Sequence, residues 1–89
     1  MKEAIYHKSF LKALKKLRPR EIKRVNDSIE LFLENPRARQ LRNHALHGKF
    51  RGWRSISAGG DLRILFREDS DGETIFFLSV GDHAGLFQE

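Results

Sequence analysis

Apolar residues recur every three or four positions through much of the first 36 residues, which is the spacing of an amphipathic helix. The first run follows Ser9, a suitable N-cap, and consists of Phe10, Leu11, Leu14 and Leu17. The second run consists of Ile22, Val25, Ile29, Phe32 and Leu33. Pro19 separates the runs and Asn35-Pro36 ends the second, because proline suits a first helical turn and disfavours a helical residue before it. The pattern predicts a helical hairpin.

The second half of the chain has the composition and punctuation of β-strands. Gly59-Gly60 lies between the strand-like runs WRSISA and DLRILFR, and DSDG at 69–72 separates these from TIFFLSV. A short, weaker strand candidate, KEAIY, covers residues 2–6. The predicted order is therefore βααβββ, an α+β fold in which the helical hairpin packs on a small antiparallel sheet.

A two-residue turn at Gly59-Gly60 would pair Ala58 with Asp61, Ile56 with Arg63 and Arg54 with Leu65. Under this pairing the core face would carry Trp53, Leu62, Ile64 and Phe66. Arg54, Asp61 and Arg63 would then project together from the opposite face, and we expect a functional site there.

Length and composition restrict the class of protein. The 89 residues, with a hydrophobic fraction of 39%, fit one folded domain spanning residues 1–89. The chain has no cysteine, which excludes disulfides and a thiol nucleophile and favours a reducing compartment. It has neither a signal-peptide-like N-terminus nor a run of about 18 apolar residues. We expect a cytoplasmic protein that makes no contact with membranes.

Positive charge is concentrated in the middle of the sequence. Residues 37–67 carry eight Lys and Arg side chains against Asp61 alone, whereas residues 68–89 carry six acidic side chains and no Lys or Arg. Phe50 and Trp53 interrupt the basic segment, as in surfaces that face a polyanion. Charge alone does not distinguish RNA from DNA or from an acidic protein partner.

The candidate chemistry depends on histidine, arginine and aspartate. The sequence has no phosphate-binding glycine loop, no dinucleotide motif and no carboxylates at metal-ligand spacing around its four histidines, so we expect no cofactor and no metal. RNA cleavage without metal uses the ribose 2′-hydroxyl as nucleophile and needs a base, an acid and positive charge near the phosphate. Histidine and arginine supply these functions near neutral pH.

Four motifs resemble a known family. They are H-x-L-x-G at 44–48, G-W-R at 52–54, D-L-R-I-L-F at 61–66 and G-D-H-A-G-L-F at 81–87. With the βααβββ order, they resemble the YafQ branch of the RelE/ParE toxin superfamily over the whole chain, and G-x-H-x-x-L-F is the most specific of them. The resemblance implies a type II toxin that cleaves messenger RNA in the A site of the ribosomal 30S subunit and is neutralised by a cognate antitoxin.

The resemblance also implies roles for individual residues. His44, Asp61 and His83 match catalytic positions of the family, and Phe87 matches its functional terminal phenylalanine. Arg63 matches an arginine that many superfamily nucleases carry in the strand after the hairpin. We expect His83 to be the general acid and either His44 or Asp61 to be the base or its orienting partner. Arg63 and Arg54 would stabilise the phosphate, and Lys49 and Arg51 would bind the RNA backbone.

The pattern departs from the family at Ser57, where YafQ-like toxins have a further active-site histidine. Serine is not a general base at neutral pH unaided, so this chain is expected either to cleave more slowly or to use His47 instead. Two other functions remain open: a ParE-like toxin that inhibits DNA gyrase by binding it, and an inactive module that binds RNA or antitoxin. The combination of His44, Asp61 and His83 favours the nuclease, since a protein that only binds needs no titratable set.

Overall fold

The computed structural model describes residues 2–87, in which one five-stranded sheet has the order β1-β5-β4-β3-β2. The strands are β1 (Glu3–Tyr6), β2 (His44–Ala45), β3 (Arg54–Ser57), β4 (Leu62–Glu68) and β5 (Thr74–Asp82). The helices are α1 (Lys8–Lys15), α2 (Pro19–Glu34) and α3 (His83–Leu86).

The α+β class and the predicted βααβββ order are confirmed, with two additions. The two-residue strand β2 lies within the predicted loop 37–52, and the single-turn helix α3 follows β5. Strands β2 to β5 pair antiparallel as expected. Strand β1, however, pairs parallel with β5, because the helical hairpin returns the chain to the opposite side of the sheet before β2 begins. The sheet is therefore mixed at one edge.

The two long helices begin and end close to the predicted positions. Helix α1 begins one residue before the predicted N-cap, and His7 caps it by accepting the Ser9 N–H at Nδ1 over 3.3 Å. The Ser9 hydroxyl instead donates to the Leu78 carbonyl at 2.6 Å, which ties α1 to β5. Helix α2 ends at Glu34 before Asn35-Pro36, as predicted.

The main core lies between the helical hairpin and one face of the sheet. The helices contribute Phe10, Val25, Ile29 and Phe32, and the strands contribute Ile56, Leu62, Ile64, Phe66, Ile75, Phe77 and Val80. The Phe32 ring packs against Phe66 at 4.8 Å between centroids and edge-on against Phe77 at 6.1 Å. These contacts fix the helices over β4 and β5, whose far ends carry the candidate site.

The β3–β4 hairpin has a different register from the predicted one. The Ala58 N–H donates to the Leu62 carbonyl at 2.9 Å, and the Leu62 N–H donates to the Gly59 carbonyl at 3.0 Å. The loop therefore has three residues, Gly59, Gly60 and Asp61, and both glycines have positive φ, 95° and 54°. The prediction of a two-residue turn is wrong.

A shift of one residue reverses the face on which each β3 side chain lies. In the observed register Ser57 pairs with Arg63, Ile56 with Ile64 and Arg54 with Phe66. Ile56 and Ala58 consequently point into the helix-side core, where both are buried. Ser57 moves to the opposite face, together with Arg63.

That opposite face is partly covered by the C-terminal segment. Leu65, which alternates with the core residues Ile64 and Phe66, points to this face and is only 1% exposed. A Cβ atom built on Gly81 would lie 3.5 Å from the Leu86 side chain, so α3 folds back over the strand pair β4–β5. The candidate site lies beside this second, smaller apolar layer.

Candidate active site

The structure brings Asp61 and His83 together at one end of the sheet. The His83 N–H donates to the Asp61 carbonyl at 3.1 Å, which joins the first residue of α3 to the last residue of the β3–β4 loop. Both residues are exposed. Two residues that are 22 positions apart in sequence are thus held side by side by a backbone contact and not by their own side chains.

The turn that carries His83 is stabilised locally. Asp82 is the N-cap of α3, and its Oδ1 accepts the Gly85 N–H at 2.6 Å. A Cβ atom on residue 85 would lie 3.0 Å from this oxygen, so glycine leaves room for the capping carboxylate. The Phe87 N–H then donates to the His83 carbonyl at 3.0 Å, and the two rings lie 4.8 Å apart.

Arg63 is bound to the same loop. Its Nη1 donates to the carbonyls of Gly60 at 2.8 Å and Leu62 at 3.0 Å, and it lies 3.4 Å from the Ser57 hydroxyl oxygen. Its Nε and Nη2 make no hydrogen bond within the described part of the chain. The guanidinium is therefore held next to Asp61 by one nitrogen, while the other two remain available to phosphate oxygens.

His44 lies on the edge strand β2 in a defined tautomer. Its Nδ1 is 2.8 Å from the Arg42 carbonyl, and because a carbonyl only accepts, Nδ1 carries the proton. Neutral His44 therefore presents the lone pair of Nε2, the form that a general base requires. His44 pairs with Ser55 and shares its face with Arg63. Regular strand spacing places the Cα atoms of His44 and Arg63 roughly 12 Å apart, on either side of β3.

Aromatic rings join the C-terminal segment to the basic loop. The rings of Phe87 and Phe50 meet edge to face at 5.4 Å, and Phe50 also packs against Trp53 at 5.5 Å. The Lys49 Nζ lies 5.5 Å from the centre of the Phe50 ring. Phe50 and Phe87 are each only partly buried, so the cluster presents aromatic surface next to His83.

Arg54 does not join this group. Because of the observed register it lies on the helix side of β3, where its Nε donates to the Asn43 side chain at 2.9 Å. The prediction that Arg54, Asp61 and Arg63 share one face is therefore wrong for Arg54. Lys49, Arg51 and His47 are exposed in the loop between β2 and β3.

Sequence reasoning missed two contacts. One is the approach of Ser57 to Arg63, which depends on whether the glycine turn has two residues or three. The other is the hydrogen bond between Arg54 and Asn43, for which no sequence signal existed. The residues that the structure gathers are His83, Asp61, Arg63 and Phe87, with His44 on the adjoining edge strand of the same face.

The sequence profile of the YafQ family, described as a bacterial toxin of type II toxin–antitoxin systems, matches residues 2–88. The chain belongs to the YafQ family of type II toxins. The family that was predicted from the four motifs is thus confirmed. No curated protein matches the sequence.

Solved structures agree with this assignment at the level of the fold. The crystal structure of YafQ from E. coli strain BL21(DE3) has a TM-score of 0.81 at 20% identity, covering 98% of this chain and 99% of that one. YafQ in the E. coli DinJ–YafQ complex has a TM-score of 0.79 at 20% identity over the same shares of the chains. A YoeB/ParE toxin from Agrobacterium tumefaciens has a TM-score of 0.75 at 18% identity, covering 91% and 98%. Because these YafQ, YoeB and ParE-type structures share one fold, the fold alone does not choose between their functions.

Proposed function

We propose that this YafQ-family toxin is an endoribonuclease that cleaves messenger RNA in the ribosomal A site without a metal ion. The observation that carries the proposal is the hydrogen bond from His83 N–H to the Asp61 carbonyl, which holds an imidazole and a carboxylate at one loop. Arg63 is bound to the same loop through Gly60. An acid, a candidate base and a fixed positive charge are thereby gathered at one exposed position.

The proposed reaction uses the RNA as its own nucleophile. A base removes the proton of the ribose 2′-hydroxyl, and the oxygen attacks the adjacent phosphorus. The bond from phosphorus to the 5′-oxygen then breaks, and His83 gives its proton to that leaving oxygen. The products are a 2′,3′-cyclic phosphate and a 5′-hydroxyl end. Proton and electron pairs balance without any co-reactant.

Two residues remain candidates for the base, and the geometry supports a different role for each. His44 offers Nε2 with its lone pair, because Nδ1 donates to the Arg42 carbonyl. The Asp61 carboxylate lies on the loop that His83 contacts and has no hydrogen-bond partner within residues 2–87, so it is free to orient a proton donor or acceptor. We propose His44 as the base and Asp61 as the group that orients the 2′-hydroxyl or the His83 ring.

Arg63 would stabilise the charge that develops on the phosphate. A preorganised donor aimed at the developing charge contributes about 10²–10³ to the rate. Nε and Nη2 of Arg63 form a pair of donors that a phosphate binds through two oxygens. Phe87, whose ring is fixed between His83 and Phe50, would stack an unpaired base next to the scissile bond. Lys49 and Arg51 would bind the backbone beyond it.

The proposed partners follow from the charge distribution and the relatives. The E. coli YafQ relative forms a complex with DinJ, and we propose that a cognate antitoxin covers residues 37–67 with an acidic or amphipathic segment. None of the helices in residues 2–87 is both long and apolar enough to cross a membrane. A cytoplasmic location is proposed because translating ribosomes are the site of the reaction.

The test is primer extension on messenger RNA, with purified toxin, ribosomes and a defined transcript. We expect breaks within the translated region that appear only when ribosomes occupy it, and products with cyclic phosphate ends. Chelating divalent metal after ribosome assembly on crosslinked complexes should leave the cleavage intact. An intact transcript, combined with inhibition of DNA gyrase supercoiling by the same preparation, would replace the nuclease with a ParE-like function.

A further inference from the structure

A basic groove lies on the helix side of the sheet, away from the Asp61–His83 contact. Its volume is about 670 Å³. It is lined by five cationic side chains, one acidic side chain and three further residues: Lys2, Arg37, Arg39, Arg42, Arg54, Glu68, Pro36, Ala38 and Asn43. None of the five cations forms an ion pair with a described residue. This surplus of uncompensated charge in one concave surface calls for an anionic occupant.

Neutral contacts hold the groove in shape. The Arg54 Nε donates to Asn43 Oδ1 at 2.9 Å, and Asn43 Nδ2 in turn donates to the Pro36 carbonyl at 3.1 Å. Leu41, in the middle of the basic segment 37–43, is 1% exposed and anchors that segment in the core. Across the groove, the Lys2 Nζ donates to the Gly72 carbonyl at 2.6 Å. The arginines are therefore oriented by amide and carbonyl groups that leave their charges unpaired.

The groove adjoins the candidate base. Arg42 has a positive φ of 49°, which is uncommon for a residue other than glycine, and its carbonyl accepts the proton of His44 Nδ1. The Arg42 side chain lines the groove while its backbone fixes the tautomer of His44. A chain bound along the groove would therefore pass next to β2 and reach the face that carries His44 and Arg63.

The chemistry of the lining favours phosphates over an acidic peptide. Four of the five cations are arginines, whose guanidinium forks match phosphate oxygens in pairs. The apolar residues of the lining are Pro36 and Ala38, which are too small to form the pocket for a large apolar anchor that protein partners generally need. A nucleic acid backbone needs no such anchor, since charge neutralisation and counterion release supply its affinity.

We infer that this groove binds the phosphate backbone of RNA at nucleotides beyond the scissile step. The inference deepens the proposed function, because the same RNA would occupy the groove and the active site. It assigns Arg37, Arg39, Arg42 and Arg54 to binding and not to chemistry. Arg54 is thereby given an RNA contact that is separate from the phosphate held by Arg63.

The test compares two variants of equal charge. Arg37→Gln with Arg39→Gln removes two exposed charges from the groove, and Lys12→Gln with Lys15→Gln removes two exposed charges from α1. The probe is a short single-stranded RNA with 2′-O-methyl groups throughout, which blocks the proposed nucleophile, so binding is measured without cleavage. Fluorescence anisotropy is recorded over a series of salt concentrations that begins at low ionic strength.

Each lost phosphate contact to a single strand lowers the slope of log K against log salt by about 0.7, so the groove variant should lower it by about 1.4. Its affinity at low salt should fall about tenfold or more, whereas the α1 variant should keep the wild-type slope. Equal slopes for both variants and wild type would overturn the inference. So would wild-type protein that does not bind the probe at low salt, or a groove variant that loses affinity only for the cognate antitoxin.

A kinetic arm separates this inference from the proposed function. If the wild type cleaves, the groove variant should need more RNA for half-maximal rate while its rate at saturation is unchanged. A lower rate at saturation with unchanged half-saturation would place these arginines in the chemistry and overturn the assignment to binding. If the wild type cleaves no RNA, the proposed function fails, and the anisotropy slopes still decide whether the groove binds phosphates.

Discussion

Ser57 and Arg63 face each other across the β3–β4 ladder, with the Ser57 hydroxyl oxygen 3.4 Å from Arg63 Nη1. The same hydroxyl accepts the Gly59 N–H at 3.2 Å. Ser57 is the position at which YafQ-like toxins have a further histidine according to the sequence resemblance. In this chain the position therefore supports the loop and touches an arginine, so a guanidinium lies where that histidine would act.

Replacing Ser57 with histidine should raise the cleavage rate. The observed register places residue 57 on the face of Arg63 and at the loop carrying Asp61, so an imidazole there would add a proton acceptor beside the phosphate. We expect a gain of about tenfold or more in the single-turnover rate at saturating RNA, which lies below the range of 10²–10⁴ for a fully positioned acid or base. The measurement is single-turnover cleavage with ribosome-bound transcript.

Ser57→Ala is the matched control, since it removes the hydroxyl and adds no ring. It should lower the rate modestly, because the loop loses its contact with Gly59 N–H and Arg63 loses a neighbour. If Ser57→His and Ser57→Ala slow the reaction equally, the histidine contributes no chemistry and the site depends on Arg63 alone at this position.

His83→Ala should slow single-turnover cleavage by about 10²–10⁴-fold, the range for loss of a general acid. Ribosome binding should be unchanged, because the backbone contact with the Asp61 carbonyl does not need the imidazole. His47→Ala serves as the control for an exposed histidine in the basic loop, and it should retain the wild-type rate. An H83A rate within a factor of three of wild type would remove His83 from the mechanism, and a severe loss in H47A would transfer a catalytic role to that residue.

Most of the fold followed from local patterns. The helices were predictable because apolar residues repeat at helical spacing and prolines mark the boundaries at Pro19 and Pro36. Strand β2 was not predictable, because two residues carry no periodicity and His44 pairs only through the backbone. The parallel pairing of β1 with β5 depends on tertiary packing of the helical hairpin, which no pattern within residues 2–6 encodes.

The candidate site was predictable where motifs named the residues and unpredictable where register decided the face. His44, Asp61, Arg63 and His83 were expected together, and the structure places them on one face or at one loop. Arg54 was misplaced because Gly59-Gly60 fits both a two-residue and a three-residue loop, and the choice depends on whether the Ala58 N–H bonds to Asp61 or to Leu62. A single hydrogen bond thereby determines which side of the sheet Arg54 occupies.

The three-residue loop gives a prediction about the backbone. Gly60 has a φ of 54° and Gly72, in a distant turn, has a φ of 71°. An alanine at either position should cost about 1–2 kcal/mol of unfolding free energy, because a Cβ atom disfavours the left-handed conformation. Urea unfolding should show similar losses for Gly60→Ala and Gly72→Ala.

The two variants should differ in activity. Arg63 Nη1 donates to the Gly60 carbonyl at 2.8 Å, so a distorted loop displaces Asp61 and Arg63 together. We expect Gly60→Ala to lose cleavage rate at a temperature at which both variants are folded, whereas Gly72→Ala keeps it. Equal activity of the two would show that the loop geometry does not matter to the site.

Phe87 offers a test that separates base stacking from packing. Its ring contacts both His83 and Phe50, so removing it entirely would disturb the whole cluster. Phe87→Leu keeps the apolar volume and removes the π surface, and it should leave the free energy of unfolding within about 1.5 kcal/mol of wild type. If the ring stacks a base, the lost interaction of about 1–3 kcal/mol lowers kcat/KM by roughly 5- to 150-fold. Phe32→Leu, in the helix-side core, is the control: it should lower stability but leave the kcat/KM of the folded protein unchanged. A Phe87→Leu enzyme with wild-type kcat/KM would assign the ring to packing alone.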